Sequence, residues 1–135
     1  MITEDKVVYS IDIDPRYKVV VDALMGFGDK YRVRNFIAEV ITLAIRQLHD
    51  NDINFSLEIK ELAEDALELS GFDFINNDIP YKLHAMEKMG TLLADMVNTW
   101  SVHLLIWNVP LGLVDVAFLS GSYVNFIITK DDSYE

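Results

Sequence analysis

Histidine and carboxylate are the residues here whose chemistry reaches beyond packing. His84 and Glu87 stand three apart, so on a helix they share a face, as two metal ligands would. Carboxylate bundles that hold metal draw several ligands from several helices, with glutamate preceding histidine. Here the order is reversed and the set is incomplete, so the pair reads as a surface ion pair. His49 and His103 lie far from it in sequence. Glu58, Glu61, Glu64, Asp65 and Glu68 alternate with an apolar stripe, the pattern of a solvated helix face rather than of general acid/base groups. The 135 residues include no cysteine. That removes disulfides, thiolate metal sites and a cysteine nucleophile, and it fits a reducing cytoplasm. Glycine-rich phosphate loops, the His-Glu-x-x-His zinc motif and the Gly-x-Ser-x-Gly elbow are absent. The residues therefore imply no enzyme, no metal and no cofactor.

Charge narrows the partners. Eleven bases against 22 acids give a net charge of −11, while 51% of the residues are hydrophobic, enough to bury a core. The charge is uneven. Residues 1–50 hold seven bases and eight acids, a balance of −1, and residues 51–135 carry −10. The asymmetry suggests two tasks for two segments, 1–50 and 51–135, packed as one compact unit. The opening MITEDKVVYS shows no signal-peptide pattern. The apolar stretch 102–119 is interrupted by His103, Asn108, Pro110 and Asp115, too broken to span a membrane. A cytoplasmic protein off the membrane is the expectation.

Periodicity supplies the elements that would position these groups. Residues 7–13 alternate as a strand, with Tyr9, Ile11 and Ile13 against Ser10 and Asp12. Asp14-Pro15 starts a helix, whose apolar face is Tyr17, Val20, Val21 and Leu24. Gly26-Phe27-Gly28 ends it. A second helix spans about 32–49 on Val33, Phe36, Ile37, Val40, Ile41, Ala44 and Leu48. A third spans about 56–70, with Ser56 as N-cap and Gly71 at its stop. A fourth starts near Pro80 and runs through Leu104 to Trp107. Val114, Val116 and Phe118 mark one strand. Tyr123, Asn125 and Ile127 mark another, with a hairpin turn at Ser120-Gly121-Ser122. The fold class is α+β, mostly helical, with an N-terminal strand and a C-terminal β-hairpin.

Strand, Asp-Pro, helix, glycine-bearing turn, helix is an order with a precedent. YSIDIDPRYKVVVDAL followed by GFGDKYRVRNFIAEVITLAIRQL resembles the ribbon-helix-helix family of the Arc/MetJ/CopG type and the partition adaptors related to it. The resemblance covers about residues 6–49. It implies that Ile13-Asp14-Pro15 is the strand end and helix entry, and that Ile37 and Val40 are core positions. It also implies a homodimer, in which the strand pairs with its copy and the ribbon enters the DNA major groove. The residues facing DNA would be Val8, Ser10 and Asp12, with Lys30, Arg32 and Arg34 near phosphate at the start of the second helix. Asp12 departs from the family, which usually carries a basic or amide side chain there.

Two functions follow. One is a dimeric DNA-binding protein, a transcriptional regulator or partition-type adaptor, whose acidic residues 51–135 bind a protein partner. The other is an acidic protein–protein interaction module or inhibitor without DNA affinity, presenting carboxylates to a basic partner much as nucleic acid would.

Overall fold

A computed structural model describes residues 6–18, 21, 30–50, 54–73, 75, 76, 78–109, 111–120 and 123–130. The Val20 and Leu24 positions, the Gly26-Phe27-Gly28 stop, Pro110 and the Gly121-Ser122 turn fall outside the described residues. The elements run β1 (Lys6–Asp12), α1 (helical at 15–18 and 21), α2 (Lys30–His49), α3 (Phe55–Leu69), α4 (Ile79–Ile106), β2 (Gly112–Ser120) and β3 (Tyr123–Lys130). The architecture is α+β, with one three-stranded antiparallel sheet in the order β1-β3-β2.

Local chemistry sets the helix ends. The Asp14 side chain accepts the Arg16 backbone N–H at 2.9 Å. That bond, with the Arg16 guanidinium, holds the Asp14 carboxyl below its ordinary range. The N-cap of α3 is Asn54, whose side chain accepts from the Leu57 N–H at 3.2 Å. This corrects the expectation of Ser56, which lies already inside the helix. Gly71 follows the α3 cap with φ +86°, and the Phe72 N–H reaches back to the Leu67 carbonyl at 2.9 Å. Such a left-handed stop suits glycine, because a Cβ there is strained. Asp78 caps α4 and Pro80 sits in its first turn. Asn108 closes α4 at φ 54°, with the Val109 N–H on the Leu104 carbonyl at 3.1 Å. Asparagine is among the few side chains that tolerate this conformation.

Two layers enclose the core. Helices α1, α2 and α4 bring Tyr17, Val33, Val40, Ile41, Leu93, Val97, Trp100 and Leu104 against Ile11, Ala117, Val124, Phe126 and Ile128 of the sheet. Trp100 and Tyr17 are 1% and 0% exposed, each burial contributing on the order of 2–3 kcal/mol. The buried Ser101 hydroxyl lies 2.8 Å from the Val97 carbonyl, 3.2 Å from the Ala44 carbonyl and 2.9 Å from Gln47 Oε1. It thereby joins α4 to α2. Among the described residues no helix is long and apolar enough to cross a membrane.

The sheet differs from the expected ribbon. β1 pairs along its length with β3 of the same chain, from Lys6 opposite Thr129 to Asp12 opposite Tyr123. A lone strand needs a partner for its backbone groups, and the C-terminal hairpin supplies it without a second copy. The hairpin strands also sort their faces in a way the spacing hides. In β3 the buried set is Val124, Phe126 and Ile128, leaving Tyr123, Asn125 and Ile127 on the outer face. In β2 the register slips between Val114 and Val116, so Asp115 is an extra residue in the strand. A bulge of this kind reverses the alternation. Val114 packs on the core, while Val116 and Phe118 face outward between inward Ala117 and Leu119.

Candidate functional site

The six residues picked out for DNA fall on two layers. Val8, Ser10 and Asp12 lie on the outer face of the sheet and are exposed, with the Ser10 hydroxyl donating to Asn125 Oδ1. Arg32 and Arg34 are exposed on α2, in the helical layer that packs against the opposite face. Lys30 begins α2, and its side chain lies outside the described residues. The sheet therefore stands between the two groups.

A different set of charges converges between α2 and α3. On α2, Arg32, Glu39 and Arg46 recur every seven residues, two helical turns apart, so they form one line beside the buried face. On α3, Glu58, Glu61, Asp65 and Glu68 recur at steps of three, four and three, which also makes one line. The helices run antiparallel, and their ends pair. Arg32 meets Glu68 at 3.4 Å and Arg46 meets Glu58 at 3.5 Å. The middle has no such match. Glu39 faces Asp65 and Glu61 across a groove of about 310 Å³, lined also by Thr42, Leu43, Leu62 and, at one end, the Arg46–Glu58 pair. A smaller groove continues it past Asn35 and Phe36, sharing Glu39 and Asp65.

The electrostatics follow from this mismatch. Loss of hydration raises the proton affinity of the Glu39 carboxyl, and Asp65, Glu61 and Glu58 raise it further. Asp65 is raised as well, first by loss of hydration and then by Glu68, against the opposing pull of Arg32. Both acids therefore carry their negative charge at a cost, which a cation placed in the groove would relieve. Among the described residues no three His, Asp or Glu side chains are gathered closely enough to hold a metal ion. His84 and Glu87 are exposed on α4, apart from the groove. The arrangement suits an ammonium or guanidinium group presented on a longer chain, with apolar contact beneath it for the methylene stem.

Sequence reasoning found the α3 acids and read them as a solvated face. It missed Glu39, which belongs to another helix. The available signal was the seven-residue recurrence of Arg32, Glu39 and Arg46, with an acid where a third base would complete the match. Compared with known proteins, the chain matches no family model, no curated protein and no solved structure.

Proposed function

We propose that this chain is an acidic protein–protein interaction module that takes an arginine- or lysine-bearing segment of a partner into the α2–α3 groove. The observation that carries the reading is the uncompensated middle of the two charge lines, where Glu39, Glu61 and Asp65 face one another between two satisfied ion pairs. An inserted guanidinium donates to two of these carboxylates at once, and its planar fork favours arginine over lysine. The remaining acidic surface draws a basic partner from a distance, an effect that salt screens beyond about 8–10 Å. An inhibitor that occupies a nucleic-acid-binding groove is one form of such a module.

The DNA-binding reading needs Val8, Ser10, Asp12 and the α2 arginines on one duplex. Their separation by the sheet favours the protein partner instead. In the sheet, Asp12 and Asp115 are exposed acids, and Lys6, opposite Thr129, is the base at the far end of the Val8, Ser10 and Asp12 register.

Calorimetric titration with an arginine-rich peptide and its glutamate-substituted control tests the proposal. Binding should weaken steeply as sodium chloride rises, and Glu39→Lys should weaken it about tenfold or more, since that substitution places a base inside the groove. Binding of the arginine peptide that ignores both salt and Glu39→Lys would refute the assignment. Duplex DNA titrated at low salt, where phosphate contacts are strongest, should give no complex.

A further inference from the structure

An antiparallel sheet with helices on one face ordinarily shows polar residues on the other, because that face meets water. This sheet breaks the rule. The cross-strand rows of the outer face place Val8 beside Ile127 and Val116, and Ser10 beside Asn125 and Phe118. Tyr123 stands opposite Asp12 at one end, and at the other Leu113 shares a row with Thr129 and Lys6. Leu113 is 70% exposed, Val8 66%, Tyr123 48% and Val116 44%. Phe118 and Ile127 add half-buried surface. With side chains of this size, the face offers on the order of 400 Å² of apolar surface.

We infer that this outer face docks against the same face of a second copy, making a dimer by sheet-on-sheet packing. Three features choose that occupant. First, the area fits. A standard interface covers about 800 Å² per partner, a little over half of it apolar, or about 450 Å². Second, the charge fits. In a chain of net charge −11, the described carboxylates here are two, Asp12 at one end of the rows and Asp115 at the bulge beside Val116. Two acidic copies can approach closely only where few carboxylates meet, whereas a basic partner is drawn to the acid-lined groove on the helical layer. Third, the geometry is self-complementary. Twisted sheets stack face to face at about 10 Å with branched side chains interdigitating, and a two-fold axis needs one patch that fits itself. This dimer buries the faces of the two sheets. It leaves β1 paired with its own β3, and it leaves the α2–α3 groove free.

Sedimentation equilibrium of the full chain across a wide concentration range tests this. A dimer is expected, and raising salt should strengthen it, because the copies repel through their net charge. Leu113→Lys and Val116→Lys should each weaken it about tenfold or more. Both sites are exposed in one chain, so the circular dichroism melt of each variant should match the parent. Leu105→Lys serves as a control on another exposed apolar site, on α4. A chain that stays monomeric at the highest concentration overturns the inference. So does a dimer that Leu105→Lys disrupts while Val116→Lys leaves it intact. The peptide titration above reads the groove alone, so the two proposals fail separately.

Discussion

Replacing Glu39 by glutamine removes one charge from the centre of the groove and keeps the side chain's length. The substitution should stabilise the protein at neutral pH. Glu39 is partly stripped of water and, to a smaller extent, is repelled by Asp65, Glu61 and Glu58. It remains solvent-exposed, so each repulsion is discounted to a few tenths of a kcal/mol, as for other surface charges. Three of them sum to about 0.5–1 kcal/mol. An unfolding entropy of about 2.1 cal/mol/K per residue, over 135 residues, converts that to a Tm rise of about 2–4 °C. The pH dependence has a definite sign. A carboxyl whose folded pKa is raised binds more protons in the native state than in the unfolded state. Its penalty is absent below the unfolded value, about 4, and fully present above the raised folded value. The advantage of Glu39→Gln should therefore be full at pH 7 and vanish by about pH 4. High salt should shrink it as well. Thermal melts by circular dichroism at both pH values and two salt concentrations read this directly. An equal gain at pH 4 and pH 7, or a lower Tm at pH 7, would refute the like-charge account. Asp14 and Asp73 have lowered pKa values, first from backbone N–H bonds, so their contribution is lost as pH falls and opposes the gain from Glu39 and Asp65.

The caps and the interhelical hydroxyl give further tests. Asn54→Ala should cost about 1 kcal/mol in urea unfolding and Ser56→Ala a few tenths at most, because Asn54 caps α3. Ser101→Ala should cost about 1 kcal/mol in the same assay, since the lost hydroxyl links α4 to Gln47 and Ala44 of α2. A loss below about 0.3 kcal/mol would mean that this bond adds nothing beyond solvent.

Legibility in the sequence tracked the range of the interaction. Glu58, Glu61, Asp65 and Glu68 could be seen to share a stripe, since four residues at steps of three and four need only their own helix. Gly71 could be read as a stop for a similar reason, because its φ of +86° is a local requirement. The spacing points to Ser56 as the cap of α3, whereas the chain turns helical one residue earlier, at Phe55, which leaves Asn54 in the capping position. The Val114, Val116 and Phe118 alternation failed at one residue, since the bulge at Asp115 appears only when the partner strand is known.

The amphipathic periods, the −1 and −10 charge halves and the lack of catalytic motifs were determined by the sequence itself. These depend on residue type and near-neighbour spacing, which one helix or strand expresses alone. Tertiary structure decided three things: that β1 joins β3, that an apolar sheet face is left uncovered, and that Glu39 meets Asp65 and Glu61. Each joins residues far apart along the chain. Packing, which must match backbone donors and fill the core at once, selects such contacts from many that the pattern allows.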